Sequence, residues 1–329
     1  RRPGPLSSPA PAPRRRLPRG PCAGPVCGIM PRFLPLPHAL LALAVVAVWG
    51  TNFTVIPFAL EALPPLALAT LRFALAFLPA ALFIARPRVP WRELAAYGVL
   101  IGVGQFGLLY LAMRRDISPG LASLVVQMQV FFTIALAMWL ERERLRAYQG
   151  VALALAVAGL VLIGIGTRGG GGQGATPLGL ALVLAAGASW SVANLVGRRA
   201  AGVDMLAYVV WSSVFAVPPL LLLSLVVEGP AAFAAALGRA GFGTWTAVVW
   251  QAWGNTLFGY GAWAWLLARH PAATVSPWAL GVPVFGMLTS ALVLAEPMPA
   301  WKVLAAALVL GGLAVNVFWP RWRAARGGR

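Results

Sequence analysis

The chain is short of charge, and above all of acidic residues. Only 10% of its 329 residues are charged, and Asp and Glu together number 8, whereas about a quarter of a soluble domain is charged. The rest is largely apolar, at 60% hydrophobic residues with a mean hydropathy of +0.80. Because the apolar residues come in long blocks rather than amphipathic stripes, this composition indicates a polytopic membrane protein.

The two cysteines and two histidines exclude most metal and redox chemistry. Cys22 and Cys27 both lie in a Pro/Arg/Gly-rich N-terminal segment, and His38 is the nearest histidine, so a metal or redox pair there is weakly supported. His38 and His270 lie at the edges of apolar blocks and cannot form a metal site between them. No HExxH motif, Walker lysine or Ser/His/Asp set is present in a suitable setting. We therefore expect no metal, no cofactor and no enzymatic activity.

The formal net charge of +18 does not indicate a nucleic-acid-binding protein, because of where the basic residues lie. Seven of the 26 fall in the first 32 positions, and nearly all the others lie between apolar blocks. Basic residues that flank membrane spans are topology signals. The sequence therefore predicts the lipid bilayer as the surroundings of the chain and no nucleic-acid partner.

The N-terminal segment, residues 1–36, has no hydrophobic period and is predicted to be a disordered tail. It is not a signal peptide, because no apolar core precedes His38. Met30 begins a stretch that leads directly into the first apolar block, so we expect residues 1–29 to be upstream sequence or tail. Residues 324–329 are expected to form a short cytoplasmic tail.

About 20 apolar residues cross a bilayer as a helix, and ten blocks of this kind follow one another. They are residues 38–60, 65–85, 93–113, 118–140, 148–166, 177–197, 205–227, 244–268, 274–295 and 300–319. With a cytoplasmic N-terminus, the cytoplasmic loops and C-terminus hold 13 basic residues and the opposite loops hold 5. This satisfies the positive-inside rule, so we predict ten membrane helices with both termini in the cytoplasm.

The second half of the chain repeats the first at an offset of 153 positions. Ser123 then aligns with Ser276, Phe132 with Phe285, and Glu143 with Glu296. Five spans per half is an odd number, so the halves, residues 37–166 and 177–323, must insert upside-down relative to each other. The predicted fold is an all-α membrane protein of two inverted five-helix repeats around a central cavity, an architecture typical of secondary transporters.

Polar side chains lie inside several of the blocks, where an unpartnered polar group costs several kcal/mol. Any one of them could be an interhelical hydrogen bond, but together they indicate a polar-lined pathway. Arg72 is the one charge well inside a block; it could reach the headgroups through its long stem or pair with a substrate carboxylate. Among the deeper tryptophans, some could line the cavity. The predicted substrate pathway comprises Asn52, Arg72, Gln105, Gln127, Gln129, Trp190, Asn194, Asn255 and Tyr260.

No Asp, Glu or His lies in the middle of a span. Intramembrane carboxylates usually mark proton or cation relays, so their absence argues against a carboxylate-based antiporter. It favours a facilitator, or coupling through the substrate itself.

Several motifs resemble the EamA branch of the drug/metabolite transporter superfamily. They are "WGTNF" (49–53), "LPPL" (63–66) with "LRF" (71–73), "ARPRVP" (85–90), "GLASLVVQMQVFFT" (120–133) and "NVFWPRWR" (316–323). The resemblance covers residues 37 to 323 and is strongest, in the first half, to the subgroup that exports O-acetylserine and cysteine.

The resemblance implies a bacterial inner-membrane exporter of small amino-acid-related metabolites that works by alternating access. It implies a cavity between the halves lined by residues such as Asn52, Gln127 and Asn255, with the fifth and tenth blocks peripheral. The expected partners are a small-molecule metabolite substrate and the lipid bilayer, with a homodimer left open. Two alternatives remain: a broad-specificity drug or lipophilic-metabolite exporter, and a membrane-embedded enzyme or non-transporting scaffold.

Overall fold

The structure is a computed structural model that describes residues 34–141, 146–169, 174–200 and 202–327. The predicted N-terminal tail with Cys22, Cys27 and Met30 lies outside the described residues, and so does Glu143, one of the residues on which the predicted repeat rests. In the described residues the regular structure is helical, and the one β-bridge pairs Ile117 with Ala175.

Nine helices in the described part of the chain are long and apolar enough to cross a membrane. We label them in chain order, together with one further long helix, α8. They are α1 (Leu36–Leu60), α2 (Pro65–Leu82), α3 (Trp91–Arg115), α4 (Pro119–Leu140), α5 (Ala147–Thr167), α6 (Pro177–Arg198), α7 (Met205–Glu228), α8 (242–269), α9 (Ser276–Val293) and α10 (Ala300–Pro320).

Helix α8 corresponds to the eighth predicted span, but it is not among the nine, although it is continuous over residues 242–269. Its sequence is rich in Trp and Gly and contains Gln251 and Asn255, all of which lower its hydropathy. It nevertheless packs against α1 and α2 inside the bundle. The linker before it, which lies between the seventh and eighth predicted spans, contains a short helix, Pro230–Arg239.

Helix starts follow from local sequence. Proline occupies the first position of α2, α4 and α6, where its missing N–H costs nothing and its φ suits a helix. Thr176 caps α6 by accepting from the Gly179 N–H at 2.9 Å, and Asp204 caps α7 through the Leu206 N–H at 2.9 Å. Short connections then force neighbouring helices to alternate in direction.

The helix contacts obey the symmetry that an inverted repeat requires. Exchanging α1–α5 with α6–α10 turns the α1–α9 contact into α6–α4, and the α3–α6 contact into α8–α1; all four are present. The pairs α2–α7, α4–α9 and α5–α10 map onto themselves, and these are present as well. The fold is thus two inverted five-helix repeats related by a pseudo-twofold axis.

Irregular backbone occurs at matching places in the two repeats. A π-helical segment interrupts α3 at Leu100–Gly107 and α8 at Trp250–Phe258. A 3₁₀ segment lies within α4 at Val126–Met128 and opens α9 at Ser276–Leu280. Because π segments inside α-helices frequently occur at functional sites, the matching segments in α3 and α8 make the space beside these two helices a candidate functional site.

The bundle has two faces. We call the face that carries both described chain ends, Leu34 and Gly327, the proximal face, and the opposite one the distal face. On the distal face, carboxylates of one repeat hold helix starts of the other. Glu228 accepts from the Leu66 and Ala67 N–H groups at 2.7 and 3.1 Å, and Glu296 accepts from the Gly120 N–H at 2.9 Å.

Lys302, 2% exposed, pairs with the same Glu296 carboxylate. On the proximal face the two repeats meet at His38, whose Nδ1 lies 2.6 Å from Nε2 of His270. Polar contacts thus join the repeats on both faces.

Candidate functional site

A cavity lies between the two repeats, enclosed by α2 and α3 of the first and α7 and α8 of the second. Its volume is about 10 Å³, which is room for about one water molecule. The site is therefore almost closed in this conformation. The lining residues are Arg72, Phe73, Tyr97, Gly98, Ile101, Phe106, Val209, Ser212, Ser213, Thr256 and Tyr260.

The centre of this cavity is the guanidinium of Arg72. The side chain is 1% exposed, so it does not reach out to the headgroups, the alternative that the sequence had left open. Its Nη1 donates to the Tyr110 hydroxyl at 2.7 Å and its Nη2 donates to Thr256 Oγ1 at 3.2 Å. The ring of Phe106 lies 3.7 Å from Arg72 Cζ, in cation–π geometry.

Every group that holds Arg72 in place is electrically neutral. The Tyr110 hydroxyl donates its own proton to Oε1 of Gln251, and the Thr256 hydroxyl donates to the Gln251 carbonyl at 3.0 Å. Both hydroxyls therefore present lone pairs to the guanidinium. Among the described residues no carboxylate lies within ion-pair distance of Arg72, and its Nε has no hydrogen-bond partner.

Thr256, which binds Arg72, lies in the π segment of α8. A π-helix pairs residues five apart, and the Thr256 hydroxyl bonds to the carbonyl of Gln251, five residues earlier. The Gln251 side chain is fixed in turn by donating from Nε2 to the Ala247 carbonyl at 3.2 Å. These hydrogen bonds fix two acceptor groups of the second repeat, the Thr256 hydroxyl and the Gln251 side chain.

The cavity lies on the pseudo-twofold axis, as equivalent positions in the two repeats show. Leu66-Ala67 at the start of α2 matches Leu206-Ala207 at the start of α7, an offset of 140. At that offset Arg72 corresponds to Ser212 and Phe73 to Ser213, and all four line the cavity.

The π segments of α3 and α8 match at an offset of 150. "GQFGLLY" (104–110) then aligns with "GNTLFGY" (254–260), so that Tyr110 corresponds to Tyr260. Phe106 corresponds to Thr256, and both line the cavity. The site is symmetric in position but not in charge, because a serine occupies the place that corresponds to Arg72.

Of the predicted pathway residues, Arg72 and Tyr260 line this cavity. Gln129 and Asn194 do not; they bond to each other, with Asn194 Nδ2 donating to Gln129 Oε1 at 3.0 Å. That bond joins α4 to α6, as expected for interhelical packing. Trp190 packs half-buried against the core. A pathway role for these three residues stays a prediction.

The remaining predicted amides are buried, as side chains turned away from lipid should be. Asn52, Gln105, Gln127 and Asn255 are 3 to 8% exposed, and none of them lines the cavity around Arg72. Oδ1 of Asn52 and Oε1 of Gln105 are buried and have no hydrogen-bond partner within the residues that the structure describes. Trp49 donates from Nε1 to the backbone carbonyl of Asn255 at 3.1 Å.

The predicted pathway left out several residues that contact Arg72 or line its cavity, among them Thr256, Phe106 and Tyr110. The sequence does carry a signal for the last of these, the repeated Gly-Gln/Asn followed by Tyr in α3 and α8. An offset of 153 hides it, because the matching spans of the two repeats are not separated by one constant number of residues.

Comparison with known proteins decides the family. The model of the EamA-like transporter family matches residues 36–165 and 177–318, most of the chain. The chain belongs to the EamA-like transporter family. Membership of this family agrees with the inverted repeats and indicates a transporter rather than an enzyme.

Individual relatives agree with this assignment. The chain is 40% identical over 290 residues to the "Probable amino-acid metabolite efflux pump" of Escherichia coli K12, covering 87% of this chain and 96% of that protein. The Salmonella typhimurium LT2 protein of the same name is 40% identical over 86% of this chain and 95% of its own. A solved crystal structure superposes with a TM-score of 0.60 at 21% identity, over 86% of this chain and 98% of that chain; at that identity the likeness concerns the fold alone.

Proposed function

We propose that this EamA-like transporter exports small amino-acid-related metabolites, and that the cavity around Arg72 is its substrate site. The names of its bacterial relatives support the class of substrate. Transporters built from inverted repeats bind their substrates near the midplane, between the repeats, and the cavity is lined by residues of both repeats. We place the protein in the inner membrane, with the proximal face in the cytoplasm.

The observation that carries the proposal is the uncompensated charge of Arg72. A buried cation without a counter-ion is costly, and in the described part of the chain the groups that contact Arg72 are neutral. A substrate carboxylate supplies the missing charge, and the planar guanidinium matches its geometry. The Nε proton, which has no partner among the described residues, is free to join such a contact.

The opposite wall of the cavity suits an ammonium group. Ser212 and Ser213 both donate their hydroxyl protons to the Val209 carbonyl, at 3.0 and 2.8 Å. Their oxygen lone pairs therefore remain as acceptors. A zwitterion placed across the pseudo-twofold axis would have its carboxylate at Arg72 and its amine at the two serines. O-acetylserine and cysteine are substrates of this form.

The cavity must enlarge to hold such a molecule, which alternating access provides. As the halves rock, α2 and α3 move against α7 and α8, and the site opens to one face at a time. A second candidate function, export of lipophilic compounds, is favoured by the aromatic rings of Phe73, Phe106 and Tyr260 in the lining. The buried guanidinium favours the carboxylate-bearing cargo.

The test is transport in liposomes that contain the purified protein. We expect labelled O-acetylserine or cysteine to cross faster than in empty liposomes, and Arg72→Gln to abolish most of this flux. Arg72→Lys keeps the charge but loses the forked donors, so we expect an intermediate rate. If the flux does not exceed that of empty liposomes, the proposed function is contradicted. If Arg72→Gln leaves the flux intact, the substrate site lies elsewhere.

A further inference from the structure

A second concavity lies on the distal face, between the end of α1 and the start of α8. It is an open groove of about 440 Å³ lined by Val55, Phe58, Glu61, Gly241, Gly243, Thr244, Thr246, Ala247 and Trp250. This volume lies in the range of small-molecule sites, and it far exceeds that of the cavity around Arg72. Glu61, which is exposed, is the one charged side chain among the described residues that line it.

The groove and the Arg72 site share a wall. Ala247 lines the groove, while its carbonyl accepts the Gln251 amide that fixes the ring of groups around Arg72. Trp250, at the floor of the groove, is the first residue of the π segment. One turn of α8 thus separates the groove from the groups that bind the guanidinium.

The pseudo-twofold axis relates this groove to a region on the proximal face that is filled. The symmetry places the end of α6 and the start of α3 there. At the 150-residue offset, Tyr97 of α3 corresponds to Ala247 of the groove. The Tyr97 ring packs edge-on against Tyr208, with centroids 4.9 Å apart, and is 6% exposed. A large buried aromatic thus occupies the position in the first repeat that corresponds to the small Ala247 of the groove.

We infer that the groove is the distal vestibule of the transport route, where Glu61 binds the ammonium group of the cargo. The inference rests on the proposed function, since it assigns the groove to the same route. Charge complementarity identifies the occupant: a carboxylate beside exposed aromatic surface suits a cation, which Trp250 and Phe58 can face through their rings. A zwitterion that leaves Arg72 towards the distal face then reaches the negative charge of Glu61.

The first experiment tests the charge. The substrates are O-acetylserine and its analogue without the amino group, 3-acetoxypropionate, offered to the distal face of the reconstituted protein. We expect Glu61→Gln to raise the half-saturating concentration for O-acetylserine by roughly threefold, a modest factor because the carboxylate is exposed. The value for the analogue should not change. An equal effect on both substrates, or none on either, overturns the role of Glu61.

The second experiment blocks the groove, and it does so after folding. Thr246→Cys, in a chain whose Cys22 and Cys27 are replaced by serine, provides one thiol that lines the groove. We expect a bulky maleimide at this thiol to stop most transport, and O-acetylserine to slow the labelling. Ala235→Cys, on the short helix nearby, is the matched control. Labelling of this thiol should leave transport unchanged, and O-acetylserine should not slow the labelling.

The outcomes separate the two proposals. If the unlabelled protein moves no cargo, the proposed function fails and the vestibule fails with it. If transport is normal and continues with the groove blocked, the vestibule alone is wrong.

Discussion

At the scale of single residues, the proposed substrate site centres on Arg72. Its guanidinium is fully buried, yet its hydrogen bonds run to Tyr110 and Thr256 and not to an acid. These neutral partners orient the charge without neutralising it. The charge therefore remains available to an anion that enters the cavity.

Removing one of these partners tests the network. Tyr110→Phe leaves Arg72 Nη1 and Gln251 Oε1 without their shared partner, and an unsatisfied buried group costs about 1–3 kcal/mol. We expect a loss of that size in the free energy of unfolding, and a higher half-saturating concentration for transport. Denaturation in detergent and liposome flux measure the two effects.

Tyr148→Phe, on the peripheral helix α5, is the control and should change neither quantity. A Tyr110→Phe protein with unaltered flux would show that the orientation of Arg72 does not limit binding.

Sequence reasoning identified Arg72 because a charge inside an apolar block is visible in the sequence. The partners were harder to find. Tyrosine is common near the end of a span, so this position alone gives Tyr110 no special role. Nothing in the sequence shows that Thr256 lies in a π segment and faces α2. The amides were predicted as one set, but Gln129 and Asn194 form a bond between helices, since an amide pair and an amide facing a cavity look alike in sequence.

At the scale of helices, close packing between the repeats depends on small residues at chosen positions. In the contact of α5 with α10, a Cβ added at Gly312 would lie 2.5 Å from the Ala152 carbonyl oxygen. A Cβ at the adjacent Gly311 would meet no heavy atom within 4 Å. One residue thus distinguishes the packed face of α10 from its free face.

These two glycines make a matched pair of variants. Gly312→Ala should push α5 and α10 apart and cost about 1–3 kcal/mol, as overpacking does. Gly311→Ala should be neutral, or stabilise α10 by up to about 1 kcal/mol, because alanine favours a helix more than glycine does. Thermal unfolding of both proteins in the same detergent compares them. Equal effects would contradict the packing described for α5 and α10.

Most of the helix pattern could be predicted, because an apolar run of sufficient length in lipid has few alternatives to a helix. The π segments of α3 and α8, which border the cavity, could not be predicted. Their sequences do not differ in kind from those of ordinary α-helices. The short helix Pro230–Arg239 was missed because its alanines resemble a linker as much as a helix.

At the scale of the whole molecule, the distal face is held together by carboxylates that reach from one repeat to the other. Glu228 fixes the start of α2, and Glu296 fixes the start of α4 while it pairs with Lys302. Since α2 carries Arg72, we expect the opening towards the distal face that the proposed alternating access involves to loosen these contacts.

The pair of Glu296 and Lys302 allows a sharp test. Glu296→Gln leaves a buried ammonium without a counter-charge, and breaking a buried pair in this way costs about 3–5 kcal/mol. We expect a marked fall in thermal stability that a second change, Lys302→Met, largely reverses. Failure of the double variant to recover would mean that the cap on Gly120, and not the ion pair, supplies the stability.

The orientation of the molecule is checked by labelling intact cells. A thiol at Ala235 on the distal face should react with a membrane-impermeant reagent, whereas one at Arg88, on the proximal face, should react only after the cells are opened. The opposite result would show that the protein has the reverse of the predicted orientation.

The unequal charge of equivalent positions has a consequence for how such a site can arise. In a pair of identical five-helix units, any side chain beside the axis is present twice, so an arginine at this position would face its own copy and be repelled. Joining both units in one polypeptide lets them diverge, and a single cation opposite a hydroxyl then becomes accessible to mutation. A single guanidinium opposite a hydroxyl is thus a property that a pair of identical units cannot have.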